Sequence, residues 1–435
     1  MKFVSTNKNT PAVTFLEAMK RGLAPDGGLY MPESVPVLNA HFWKSLHRFD
    51  FTEIAFRMAQ PYLQSELSEQ ALQSVVNDAF DFPLNLKGLE NGHHILELFH
   101  GPTLAFKDFG ARFMARLFSE SADIDQAEVT ILVATSGDTG SAVARGFYKV
   151  PGVRVCLLYP KGKVSPLQEK QMATLGENIT ALEVDGVFDD CQRLVKEAFV
   201  DDELNQKLRL SSANSINIAR LLPQSFYYAF AIAELQRKGI NNVAFSIPSG
   251  NFGNLTGGLL AKKMGLPVTK FIAATNVNDA VPQFLRGAGF TPKASVQTIS
   301  NAMDVGNPSN FARMLYLYEE SENALRNEIE GFSYSDSQTI ETIRNVFEKE
   351  HYLLCPHTAV GYRASSEFRK IDQATSAALV TLATAHPVKF RDVIEKELEI
   401  EIPIPESLKE DLQREKKSIL MGSSYEEFRS FLIGY

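Results

Sequence analysis

The chain has 435 residues, 44% of them hydrophobic and 22% charged, with a formal net charge of −8. This length exceeds one ordinary core, so two or three structural units are expected. The acidic balance argues against nucleic acid or an anionic membrane as a partner, and it requires any anionic ligand to be held by a local positive site.

Residues 1–93 read as an N-terminal region that is helical and aromatic-containing, with few clear strands. Within it, Pro25-Asp26-Gly27-Gly28 is a strong turn signal. Over residues 94–386, short apolar strands alternate with amphipathic helices. The strands are expected at 95–99, 129–134, 153–158, 179–184, 243–247, 271–274 and 378–382. The helices are expected at 108–119, 141–149, 166–175, 190–199, 218–237, 254–264 and 337–350. Continuous apolar strands between helices predict an α/β fold with parallel sheets buried on both faces. Residues 387–435 are charged and read as a helical segment packing on the core.

Cys156, Cys191 and Cys355 are too widely spaced for a disulfide framework or a metal site, and read as small buried hydrophobes in a reducing compartment. His93-His94 lacks a third ligand at metal spacing and reads as an exposed strand edge. The N-terminus turns polar at once, and no apolar run approaches the ~18 residues of a membrane span. A soluble cytoplasmic protein is expected, as a monomer or alternatively a dimer.

Three stretches carry chemistry. In the first, Lys107 follows Leu104-Ala105-Phe106 and precedes Asp108-Phe109. A lysine buried there would lose its proton readily and could form a Schiff base with a carbonyl. Taken alone, the stretch better suits a lysine whose stem crosses a core while its head stays wet, and the two loops downstream reverse that preference. In the second, a strand runs into Thr135-Ser136-Gly137-Asp138-Thr139-Gly140 and then a helix, a turn whose free N–H groups suit an anion. No lysine follows Gly140, so this is not a P-loop. The hydroxyls of Thr135, Ser136 and Thr139 suit an amino-acid carboxylate, and a simple capped connection is the alternative. In the third, a strand precedes Ser249-Gly250-Asn251-Phe252-Gly253-Asn254 at a helix start, which can hold a phosphate dianion without a basic side chain. The three together ask for a ligand with a carbonyl and a phosphate. Pyridoxal 5′-phosphate (PLP) has both.

With these features the chain resembles the threonine synthases of the longer bacterial and fungal type, within the tryptophan synthase β-like (fold type II) PLP enzymes. The resemblance rests on residues 22–32, 100–113, 134–142, 161–170, 214–220, 248–253, 273–278 and 384–387. It implies two open sheets of parallel type flanked by helices, with an extra, mainly helical N-terminal region and a smaller mobile domain at about residues 100–210. It also implies a carbon–oxygen lyase that converts O-phospho-L-homoserine and water to L-threonine and phosphate, the final step of threonine biosynthesis.

By the same resemblance Lys107 forms the Schiff base. Phe106, Asp138, Ser249, the 250–254 loop and Thr384 contact the cofactor, with the Thr384 hydroxyl at the pyridine nitrogen. Asn214, Ser215, Asn217 and Arg220 match the substrate-phosphate segment, with Lys163, Ser165 and Arg112 as further substrate candidates. For Lys161-Gly162-Lys163 a solvated turn is the alternative. Many members of the wider superfamily carry asparagine where Asp138 stands, near the ring oxygen. Two close anionic oxygens would repel, so one is expected to carry or share a proton. A related phospho-lyase or serine/threonine dehydratase would share Lys107 and both loops, and the 214–220 segment favours the synthase.

Overall fold

Residues 1–89, 92–125, 128–372 and 376–435 are described in the computed structural model. The strands are β1 (Phe3–Ser5), β2 (Tyr30–Pro32), β3 (Asn85–Gly88), β4 (His93–Glu97), β5 (Val129–Ala134), β6 (Val153–Pro160), β7 (Ile179–Val184), β8 (Leu210–Ser212), β9 (Val243–Pro248), β10 (Lys270–Thr275), β11 (Ile329–Ser333), β12 (Ala378–Ala383) and β13 (Ser418–Met421). They form a two-stranded pair, a six-stranded sheet in the order β11-β10-β9-β12-β4-β3, and a five-stranded sheet in the order β13-β7-β6-β5-β8. Every pairing in the two large sheets is parallel except that of β3 with β4.

The expected α/β class therefore holds, and its cause is visible residue by residue. Every residue of β5, β9 and β12 is buried, because helices cover both faces. Each buried Val, Leu or Ile there contributes about 1.5–3 kcal/mol of transfer free energy. Helix Lys107–Asp125 is anchored to the N-terminal region by aromatic rings. Phe80 lies 5.8 Å from Phe109, 6.0 Å from Phe113 and 6.1 Å from Phe226, centroid to centroid. Such pairs add about 0.5–1.5 kcal/mol each beyond the area they bury.

Four expectations are corrected. His93 and His94 are buried in β4, which lies between β12 and β3 and is not an edge. Burial lowers His93 to about 4, with Arg369 adding to the effect, so the ring is neutral at neutral pH. The helix expected over 218–237 is interrupted: Ile218–Leu221 passes through a 3₁₀ turn, Leu222–Ser225, into Phe226–Arg237. Pro223 in that turn has no N–H to continue the helical ladder. The C-terminal segment is not wholly helical, since β13 pairs with β7 and completes the smaller sheet. Finally, helix Pro356–Ile371, not among the helices singled out from the sequence, packs against β9, β10 and β12. Its Gly361 allows the close approach, because a Cβ there would lie 3.0 Å from Pro248 Cδ and Thr381 Cγ2.

The three cysteines are free and buried, as expected of small hydrophobes. Among the described residues no helix is long and apolar enough to cross a membrane, and no cluster of three or more His, Cys, Asp or Glu could hold a metal ion.

Candidate active site

Lys107 opens its helix at the end of a tightly braced turn. Leu104 takes the left-handed conformation (φ 57°), and Asp108 accepts from the Thr103 N–H at 2.9 Å and the Thr103 hydroxyl at 2.7 Å. Two backbone bonds tie this turn to the end of β12: Phe106 N–H to Thr384 O at 2.9 Å, and His386 N–H to Leu104 O at 3.0 Å. Thr384 is thereby fixed beside Lys107, its hydroxyl free of protein partners among the described residues. Lys107 is half-buried, and its ammonium makes no hydrogen bond or ion pair among the described residues. Burial pulls it down to about 8. Asp138 opposes that shift, and Arg220 and Lys389 reinforce it. The direction is the one a Schiff-base lysine needs.

The loop after β9 leads into helix Gly253–Lys263, with Phe252 as a left-handed N-cap (φ 58°). Among the described residues, the backbone N–H groups of Gly250, Asn251, Phe252, Gly253 and Asn254 have no protein acceptor. Five consecutive free donors at a helix N-terminus make an anion nest. Side chains hold the nest open: Ser249 Oγ donates to Asn254 Oδ1 at 2.7 Å, and Asn254 Nδ2 donates to Pro248 O at 2.8 Å. Gly250 is obligatory, because a Cβ there would stand 2.6 Å from Met303 Cα and 2.7 Å from Ala302 O. Both neighbours are backbone and cannot swing away. Gly250→Ala is expected to cost about 1–3 kcal/mol of stability, as overpacking does, and to weaken PLP retention. Thermal unfolding with and without added PLP would measure both.

The loop after β5 leaves the N–H groups of Ser136, Asp138 and Thr139 without protein acceptors among the described residues. Thr135 Oγ1 accepts from Gly137 N at 3.0 Å and Gly140 N at 2.8 Å, so this hydroxyl shapes the loop from within. Ser136 and Thr139 remain half-buried at its rim.

Residues 214–220 bridge the two loops. Asn214 Nδ2 donates to Ala134 O at 3.0 Å, and Asn251 Nδ2 donates to Ser215 Oγ at 2.6 Å. Asn217 caps helix Ile218–Leu221 and spends its amide on Met19 O and Ser212 O, so it supports the segment from behind. Arg220 is buried against Gly110, one turn along from Lys107, where a Cβ would lie 2.7 Å from Arg220 Nε. That Nε has no hydrogen-bond partner.

Two other basic candidates lie elsewhere. Arg112 points to the N-terminal region, bonding to Ala79 O at 2.8 Å and pairing with Asp81 at 2.7 Å, because its position on the helix turns it away from the cleft. Lys163 is exposed in a turn with Gly162 at φ 67°. Ser165 caps the helix Pro166–Ala173 and donates to Gln168 Oε1.

The chain matches a family model described as pyridoxal-phosphate dependent enzyme over residues 88–384, and models of the threonine synthase N terminus and C-terminal region over 2–80 and 358–432. It is 45% identical to threonine synthase of Serratia marcescens over 435 residues, covering 100% of this chain and 99% of the other. The chain belongs to the threonine synthase family.

Solved family structures agree with the fold just described. The Escherichia coli threonine synthase superposes with TM-score 0.92 at 42% identity, covering 100% of each chain. The PLP-bound enzyme of Brucella melitensis gives TM-score 0.92 at 34% identity, covering 99% and 98%. PLP is the family's cofactor, and this chain fits it: a free, readily deprotonated amine, an open five-donor nest and an unpartnered Thr384 hydroxyl stand together.

Sequence reasoning missed several residues. Lys389 Nζ lies 2.7 Å from Asp138 Oδ1, and Gln168 Nε2 donates to the same oxygen at 2.9 Å. Burial would raise the Asp138 carboxyl, but the ammonium groups of Lys389 and Lys107 outweigh it and hold Asp138 well below the usual carboxylate range. Asp138 is thus balanced by a cation from another segment of the chain. Lys389 carried the same signal as Lys107, a lysine between apolar neighbours in Pro387-Val388-Lys389-Phe390. Fully buried Arg313 was missed as well. It donates to Ser215 O, Ile216 O and Tyr30 O and ties the N-terminal region to the 214–217 segment.

Proposed function

We propose that the protein converts O-phospho-L-homoserine and water to L-threonine and phosphate, with Lys107 as the catalytic residue. The observation that carries this reading is the unpaired Lys107 amine set beside buried Arg220 and two separate nests of free N–H groups. One nest suits the cofactor's phosphate and the other the substrate's carboxylate. Arg220, with Asn214 and Ser215, then faces the substrate's own phosphate, which a guanidinium binds through two parallel hydrogen bonds.

Bound PLP supplies the electron sink for charge developing on the substrate carbons. Lys107 would hold PLP through its carbonyl and yield that place to the substrate amine, and its freed Nζ would take the Cα proton and later return it. Overall one proton leaves Cα and one leaves Cβ as phosphate departs from Cγ; one proton goes to Cγ and one back to Cα, and water gives its hydroxyl to Cβ and its remaining proton to the phosphate. The Thr384 hydroxyl would meet the ring nitrogen, where it would stabilise less positive charge than a carboxylate.

Water must be excluded until one molecule is needed. The unit at about residues 100–210 is read as the moving part of the 94–386 core. A cavity of about 350 Å³, lined by Ser165 and Gln168 on that side and by Thr298, Asn301 and Asp336 on the other, gives it room. Residues 1–93 and 387–435 are read as flanking supports. A cytoplasmic monomer with no nucleic-acid partner is part of the same reading. Among the described large apolar side chains that are exposed, only Ile419 and Leu420 are adjacent.

The test is product analysis with O-phospho-L-homoserine and the PLP-loaded protein. Equal amounts of threonine and phosphate are expected, and phosphate with 2-oxobutyrate would mean elimination without water control. A second expectation concerns pH. With Lys107 pulled down to about 8 by burial, the unloaded protein should take up PLP with a rate that climbs towards pH 8 and levels off above it. A rate still climbing steeply at pH 10, as for a solvated lysine, would contradict the buried-amine reading.

A further inference from the structure

Asp138 and Lys389 form an ion pair that the reaction above leaves without a part. The Lys389 side chain is 0% exposed and that of Asp138 is 5% exposed. The Lys389 ammonium also donates to Thr103 O at 2.9 Å and Gln171 Oε1 at 3.0 Å, so all three of its protons are engaged. Its partners come from three places: the start of helix Asp138–Phe147, helix Pro166–Ala173, and the turn leading to Lys107. A buried ion pair is no better for stability than apolar packing, so its presence calls for another reason.

Two further observations point to one. Asp138 Oδ1 receives both Lys389 and Gln168, while Oδ2 has no protein donor among the described residues. Lys389 also lies outside the 88–384 match to PLP enzymes at large and inside the 358–432 match to threonine synthases. The counter-ion for Asp138 therefore comes from the part of the chain that distinguishes this family. Around Asp138 the charged groups are Lys389 and Lys107. His357, lowered by burial to about 4, and the buried Cys355 thiol are the titratable neighbours, and both are uncharged at neutral pH. Asp108 faces Lys389 from the Lys107 helix, and Arg220 faces Lys107.

We propose that Lys389 is a positioning residue that fixes Asp138 as an anion whose free oxygen can only accept, and so sets which atoms beside Lys107 carry protons in the loaded enzyme. The proposal rests on the reading of Lys107 as the cofactor's anchor. With PLP held by Lys107, the carboxylate's free oxygen would require a donating group of the cofactor opposite it, and its charge would favour a protonated nitrogen at Lys107. Without Lys389 the buried carboxyl takes up a proton, becomes a donor, and that support is lost.

The experiment is a pH titration of the visible absorbance of the full-length, PLP-loaded protein as wild type, Lys389→Met, Asp138→Asn and the double variant. Lys389→Met is expected to lower the midpoint by at least about one pH unit. Added to Asp138→Asn, it is expected to leave the midpoint unchanged or raise it, because no carboxylate remains to take up a proton and an ammonium that repels a charged nitrogen at Lys107 is gone. An unchanged midpoint in Lys389→Met, or an equal shift in both backgrounds, overturns the role of Lys389. If Lys389→Met alone does not fold, Asp138→Asn against the double variant decides, since neither leaves an unpaired carboxylate. A midpoint in the double variant equal to or above that of Asp138→Asn supports the proposal, and one lower by about a unit overturns it. Wild-type absorbance that does not depend on Lys107 would overturn the anchor reading as well, which separates the two failures.

Discussion

Lys107→Ala is expected to lower threonine formation at least about 10⁴-fold, because one side chain serves as both nucleophile and proton carrier. The amine it removes is unpaired among the described residues and lies near Asp138 and Arg220. The five donors of residues 250–254 are untouched by the substitution, so PLP should still bind through its phosphate. The expected signature is therefore split: cofactor retained on gel filtration, its Schiff-base absorbance lost, and product formation reduced to background. Loss of retention in parallel with absorbance would mean that Lys107, rather than the nest, carries cofactor affinity. Threonine formation above about a tenth of wild type would remove Lys107 from the chemistry altogether.

Arg220→Ala is expected to be the second largest loss, and a selective one. A buried charged hydrogen bond removed from one partner costs about 2–5 kcal/mol, which corresponds to about 30- to 4,000-fold in kcat/KM for the phosphorylated substrate. Turnover of a substrate lacking phosphate, such as L-serine, should change little by comparison. Arg220→Lys should recover only part of the loss, since a point charge cannot reproduce the planar fork. Arg220 also donates to Ala213 O, so thermal unfolding must be measured alongside. An equal fall for both substrates would assign Arg220 to the scaffold instead.

Arg220 and Arg112 show where sequence reading stops. Both sit on helices among apolar neighbours, and nothing local separates them. The difference is which helix face turns to the cleft, and packing decides that. Arg112 was captured by Asp81, outside the core strands. By contrast, the two nests were legible because the cause is local: a buried strand running through a small polar turn into a helix must leave orphan donors. The bounds of β5 and β7 were equally legible, since each strand runs into a turn marked by Gly or Asp, Gly137 after β5 and Asp185-Gly186 after β7. Strand β13 was not, being short and leaving Ile419 and Leu420 exposed. Helix Pro356–Ile371 was hidden by its small polar side chains, although Pro356 at its first position was a usable signal. Lys389 had a local signal but no local partner, because Asp138 lies in a different segment of the chain.

The pairing of β13 with β7 also bears on how the chain is made. Ribosomes deliver β5, β6, β7 and β8 early, whereas residues 418–421 follow more than two hundred residues after β7. Throughout that interval the nascent smaller sheet presents a bare parallel edge, an open template for strands of other chains. Non-local pairing of this kind is also slow to form. Newly synthesised molecules therefore pass through a stage in which the smaller sheet is open to aggregation, and high-level expression is expected to lose material there first.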